Sequence, residues 1–151
     1  MDTSDWIALL SFLGALLSAL YARWTFNEAK KANKIAIHQH QIEIFDSFTD
    51  LMSEIHQLGE NFSLETLNKF SARAYTADLY LSNELSSKIK QYNQFAHNIY
   101  LRSQMNRTFL KNGNAVPKED LQEVWSNTDK CREIEGVIEE KLREELKLQK
   151  P

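Results

Sequence analysis

The stretch WIALLSFLGALLSALYARW, Trp6 to Trp24, holds seventeen uncharged residues in succession, Trp6 to Ala22, between Asp5 and Arg23. A run of that length lies at the short end of what spans a bilayer as a helix. From Trp6 to Trp24 a helix rises about 27 Å, close to the hydrocarbon thickness. Trp6, Tyr21 and Trp24 fall where aromatic side chains meet the headgroups, and Arg23 lies beside them, so these four are the expected interface anchors. The N-terminal flank carries Asp2 and Asp5 and no lysine or arginine, whereas Arg23, Lys30, Lys31 and Lys34 follow the run. Positive charge after the span predicts a single-pass protein of the cell membrane, with its N-terminus outside and its C-terminal domain cytoplasmic.

Two other readings compete with a span. A cleavable signal peptide opens on a basic region, which is absent here, and the helical pattern runs on through the place where cleavage would fall. A core helix in a soluble bundle accommodates a short run containing Ser11 and Ser18. The flanking charges and the aromatic ends favour the span.

A second pattern overlies the first. Ala8, Ser11, Ala15, Ser18, Ala22, Thr25, Ala29, Ala32 and Ala36 are all small and stand alternately three and four residues apart. This is the period of a left-handed coiled-coil seam, and small side chains let two backbones approach closely. In a bilayer, where apolar burial does not drive helices together, such packing holds them. The pattern predicts a homo-oligomer seam. Its rival is a chance run of alanine and serine, or packing of the part beyond Ala22 on the protein's own domain.

Nothing breaks the helix beyond the span. Gly14 is the only glycine before Gly59 and no proline intervenes, so one helix is expected from about Trp6 to Leu58, on the order of 80 Å. Its apolar positions past the seam are Ile35, Ile42, Phe45, Phe48, Met52, Ile55 and Leu58. Gly59 suits the position just past a helix end, and Ser63 can cap the next start. Leu64, Leu67, Phe70, Ala74 and Leu81 then mark a second helix; Leu85, Ile89, Tyr92, Phe95, Ile99, Met105 and Phe109 mark a third. Pro117 opens a fourth, with Glu119 and Asp120 in its first turn and Leu121, Val124, Trp125, Cys131, Ile134, Ile138, Leu142 and Leu146 on its apolar side.

The expected fold is all-α: a single N-terminal transmembrane helix continuing into a long amphipathic helix, followed by a small cytoplasmic helical bundle. Its divisions are 1–24 (tail and span), 25–58 (a juxtamembrane stalk) and 63–150 (the bundle, with helices about 64–81, 84–111 and 117–148). With four glycines and two prolines in 151 residues, the chain holds few breakers and shows no strand pattern. One cysteine, Cys131, excludes an internal disulfide and suits a reducing compartment.

The net charge of −3 hides a segregation. No acid lies between Leu85 and Lys118, where Lys88, Lys90, Arg102, Arg107, Lys111 and Lys118 fall; acids dominate from Glu119 onward. The simpler expectation is an antiparallel pair, third helix on fourth, whose surfaces attract. The functional one is an anion patch of His97, Tyr100, Arg102, Arg107 and Lys111 for a nucleotide, RNA or anionic lipid.

No catalytic constellation stands out. His38 and His40 point about 200° apart around a helix and cannot share a metal; His56 and His97 are isolated. Cys131 falls on an apolar face, where a packed thiol is expected rather than a nucleophile. There is no glycine-rich phosphate loop, no nucleophile elbow and no zinc spacing, and the core positions read as apolar. No enzyme activity, metal or cofactor is expected.

The function expected is that of a non-enzymatic, membrane-anchored helical protein that self-associates through the small-residue seam and binds a partner through its cytoplasmic bundle. Its partners are membrane lipid, further copies of itself and an unidentified cytoplasmic protein, with nucleic acid or a nucleotide ranked behind these. The alternative is a membrane effector of the toxin or pore-forming type, whose oligomerised spans permeabilise the bilayer under control of the bundle. In layout alone the chain resembles small bacterial proteins with one N-terminal span and a helical cytoplasmic region, some encoded beside phage-defence genes. No motif is shared, and no residue is carried over.

Overall fold

A computed structural model describes residues 3–148, with the side chains of Asp5 and Leu148 left aside. Asp2 of the orientation argument, and the ends of the expected divisions at 1–2 and 149–150, lie outside the described residues. The described chain is helical, with no strand: α1 (Thr3–Leu58), α2 (Leu64–Thr76), α3 (Asn83–Lys111) and α4 (Lys118–Leu148), plus single 3-10 turns at Gly59–Asn61 and Ala77–Leu79. The chain divides into two compact units, residues 1–37 and 38–151. Residues 38–58, expected to belong to a separate stalk, supply one wall of the second unit's core.

Local chemistry accounts for each boundary. Gly59 adopts φ +61°, a left-handed conformation that costs glycine nothing and ends α1. The Ser63 side chain accepts the Thr66 N–H at 3.0 Å and starts α2. At the other end of α2 the expected run to Leu81 stops at Thr76. There the Ala77 carbonyl takes both the Tyr80 and Leu81 N–H groups, and the freed Tyr80 carbonyl accepts the Gln41 side-chain amide at 2.7 Å. Gly113, at φ +74°, closes α3, and Pro117 immediately precedes α4.

Two helix starts are completed from elsewhere in the fold. The Ser82 hydroxyl donates to Glu145 Oε1 of α4 at 2.5 Å, putting a carboxylate at the head of α3. Glu54 of α1 accepts the Ser63 N–H at 2.8 Å and the Thr66 hydroxyl at 2.6 Å, doing the same for α2. The Thr66 bond, then the Ser63 bond, hold the Glu54 carboxyl below the usual carboxylate range. A carboxyl so lowered stabilises the fold above its unfolded value and loses that contribution as pH falls through the folded one. Glu54→Gln is therefore expected to cost about 1 kcal/mol at neutral pH and nearly nothing in acid. Urea midpoints of the full chain in mild detergent, taken at neutral pH and at about pH 3, check this; parallel acid dependence in both proteins would refute it.

The core of the second unit draws on all four helices: Ile44, Phe48, Leu51 and Ile55; Leu67, Phe70 and Ala74; Leu85, Ile89, Tyr92, Ala96 and Ile99; Val124, Cys131, Ile138 and Leu142. At its centre the Phe48 and Tyr92 rings meet edge to face at 5.1 Å, and Phe70 and Tyr92 do so at 5.8 Å. The buried face of α1 is turned about one residue from that expected. Gln41, Ile44, Ser47, Phe48, Leu51 and Ile55 are inside, whereas Ile35, Ile42 and Leu58 are exposed. Buried Gln41 donates its amide N–H to Tyr80 O while its Oε1 has no partner among the described residues, and buried Ser47 donates its hydroxyl to Ile44 O at 3.0 Å. On α3 the buried line leaves the apolar one after Ile99 and continues through Ser103 and Asn106, leaving Met105 exposed. Of the two neighbours expected inside, Val124 is buried and Trp125 is 64% exposed.

Candidate functional site

Every described side chain from Thr3 to Ala36 is exposed. The segment belongs to α1, the one helix among the described residues that is long and apolar enough to cross a membrane. All nine seam residues, Ala8, Ser11, Ala15, Ser18, Ala22, Thr25, Ala29, Ala32 and Ala36, lie on this open surface. Ser18 donates its hydroxyl proton to Gly14 O at 2.8 Å, and Thr25 donates to Tyr21 O at 2.6 Å. Each hydroxyl is thereby satisfied within its own helix, the requirement a hydroxyl meets in hydrocarbon. Trp6, Tyr21, Arg23 and Trp24 are exposed, and the Tyr21 and Trp24 rings stand 6.0 Å apart.

In the second unit the five candidate anion-patch residues have different surroundings. Arg102 turns to α4, reaching Asp120 at 2.9 Å and Glu123 at 2.7 Å. His97 Nε2 lies 2.9 Å from the Ser71 hydroxyl, and the Tyr100 ring packs on Phe62 at 5.9 Å. Arg107 donates to Asn61 Oδ1 in the turn after α1. Lys111 is exposed in the last turn of α3. The guanidinium most suited to gripping a phosphate, Arg102, already holds two carboxylates. Lys141 of α4 likewise pairs with Glu84 of α3, so basic and acidic groups do meet across this helix pair.

The core is not wholly apolar. Glu135 of α4 is buried, and its two carboxylate oxygens each have a partner: Oε1 accepts the Tyr92 hydroxyl at 2.9 Å and Oε2 lies 2.8 Å from His56 Nε2. The Glu135 side chain is 8% exposed and that of His56 is 49% exposed. A carboxylate bridges α1, α3 and α4 here, and the imidazole connects it to solvent. Burial, with the neighbouring Cys131 and Glu135, pushes the Tyr92 hydroxyl far above its ordinary range. Burial first, then the Glu135 charge, pushes the Cys131 thiol up to about 12. A thiol held protonated is a poor nucleophile, so this cluster has a carboxylate and an imidazole but no activated sulfur. Among the described residues, no three His, Cys, Asp or Glu side chains are grouped to hold a metal ion.

A signal for the cluster was present in the sequence. Cys131, Glu135, Ile138 and Leu142 form one line at spacings of four, three and four, so a charge sat on an apolar stripe. Ser71, Asn93 and His97 form a second polar group, with Ser71 Oγ 2.8 Å from Asn93 Oδ1. Beside it runs an open groove lined by Tyr75, Asn93, Gln94, His97, Asn98 and Leu101. Compared with known protein families, with curated proteins and with solved structures, the chain matches none.

Proposed function

We propose that the protein is a non-enzymatic, single-pass membrane-anchored helical module that self-associates through its small-residue seam and presents a cytoplasmic bundle to a protein partner. The observation that carries this is the contrast between the two units. Trp6 to Ala22 exposes large apolar side chains on all sides of its helix, whereas the second unit closes a core of its own. Water penalises the first arrangement at roughly 25 cal/mol per Å² of apolar surface, and a bilayer removes that penalty. An anchor that only tethered would not need the alanine and serine line, which instead suits close approach of a second helix. The groove beside Tyr75 and the exposed Trp125 give the bundle surfaces for a partner. The pore-forming alternative has less behind it, because Ser18 directs its hydroxyl proton back to Gly14 and no charge lies between Trp6 and Ala22 to line a path.

Membrane fractionation with alkaline carbonate extraction tests the anchor: protein released into the supernatant would end the proposal. For the seam, Ala15→Leu combined with Ser18→Leu is expected to weaken association in a membrane two-hybrid reporter by about 1–2 kcal/mol. An unaltered reporter signal would remove self-association from the proposal while leaving the anchor.

A further inference from the structure

Beyond Trp24 the first unit carries a charged line as well as the seam. Arg23, Lys30 and Lys34 fall within about 40° of one another around the helix, spread over about 16 Å of its length. The seam residues Ala22, Thr25, Ala29, Ala32 and Ala36 lie about 140° away on the other side. Lys31 is set apart from the line and is offset by Glu28, its ion-pair partner at 2.9 Å. Among the described residues Arg23, Lys30 and Lys34 make no ion pair, and all three are exposed. Two exposed aromatic side chains, Trp24 and Phe26, flank the line. We propose that Arg23, Lys30 and Lys34 form a binding stripe for the phosphodiester groups of anionic lipids.

The inference rests on the membrane-anchored reading and adds a lipid preference to it. Arg23 sits at the interface, level with Trp24, and Lys30 and Lys34 follow within roughly one to two Debye lengths of the surface. Arg23 draws anionic headgroups at ordinary ionic strength, Lys30 and Lys34 do so at low ionic strength, where the Debye length reaches about 30 Å, and aromatic neighbours settle in the headgroup layer. An acidic protein would meet the charges without needing Trp24 and Phe26, which favours lipid as the occupant. With the seam and the stripe on different sides, a helix could hold a partner helix and lipid phosphates at once.

The test uses the full chain carrying Trp6→Phe and Trp125→Phe, so that Trp24 alone reports, in vesicles of phosphatidylcholine and phosphatidylglycerol mixed equally in both leaflets. Bromine is placed on the acyl chains of one lipid or the other, and the ratio of Trp24 quenching gives the local enrichment of phosphatidylglycerol. Enrichment of roughly threefold or more at low salt is expected, falling with added salt. It should drop towards one in Arg23→Gln/Lys30→Gln/Lys34→Gln, and partly in Lys30→Gln/Lys34→Gln, which keeps the interfacial arginine; Lys31→Gln should change it little. A ratio of one in the parent, or a ratio that the triple variant leaves unmoved, overturns the stripe while carbonate-resistant insertion upholds the anchor. A ratio of one accompanied by carbodiimide cross-links from Lys30 or Lys34 to a second protein also overturns it and gives the stripe to an acidic partner. Release of the parent protein by carbonate removes both readings together.

Discussion

Replacing Phe48 by alanine is expected to destabilise the bundle by about 3–5 kcal/mol. The ring is wholly buried and meets two other aromatic rings, Phe70 at 6.1 Å and Tyr92 at 5.1 Å. Its removal forfeits apolar burial, both ring contacts and the packing of a site bounded by three helices that cannot collapse independently. Against a typical total of about 5–15 kcal/mol for a domain, that loss takes a large share of the stability. Phe26→Ala, an equal truncation at a 70% exposed position of the first unit, serves as the control and should leave bundle unfolding unchanged. Urea unfolding of both full-length variants in mild detergent gives the comparison, read as a midpoint shift at constant slope. A shift below about 1 kcal/mol for Phe48→Ala would mean that the aromatic centre is not packed as described.

Glu135→Ala is the second large effect, expected at about 3 kcal/mol, because it strands the Tyr92 hydroxyl in the interior and unties His56. The cost comes less from the lost bonds than from the orphaned donor. Three companion variants separate these contributions. Glu135→Gln keeps the shape and an acceptor for Tyr92, and should cost less than the alanine. Tyr92→Phe alone should cost about 1–2 kcal/mol, since it leaves Glu135 with one donor. Tyr92→Phe added to Glu135→Ala should cost little or restore stability, since the phenylalanine ring leaves no hydroxyl to strand. Strict additivity of the two substitutions would show that the bond contributes nothing to the fold.

Much of the fold could be read from the chain because its punctuation is local. Gly59, Ser63, Gly113 and Pro117 act through their own backbone or their nearest neighbours, and the helices begin or end beside them. What escaped was set by distant partners. Beyond the α2 terminus the Tyr80 carbonyl pairs with Gln41, thirty-nine residues away in sequence, and that bond gives a partner to the amide of a glutamine on the buried face of α1. The same holds for Ser103 and Asn106 inside and Trp125 outside: periodicity gives the stripe, but which edge of the stripe is covered follows from where the neighbouring helices lie. The Glu135 cluster was partly visible as an acid on an apolar line. Its partners His56 and Tyr92 were not, because they come from different helices. The aromatic ends and the small-residue line of the first unit are periodicities of a single helix and depend on no distant partner, whereas Arg23, Lys30 and Lys34 counted only as charge beyond the span until the helix set them on one side.

The carboxylate that Glu145 sets at the head of α3 has a bearing on the order of events at the ribosome. Ser82 is translated sixty-three residues before the group that caps it. At roughly 5–20 residues per second, α3 therefore waits several seconds with an uncapped start. During that interval Trp6 to Ala22 has long since left the exit tunnel and is free to be handed to the membrane. On the membrane-anchored reading proposed above, targeting comes before closure of the second unit, and a pause in translation between Ser82 and Glu145 would prolong the time in which the unfinished bundle is open to proteases.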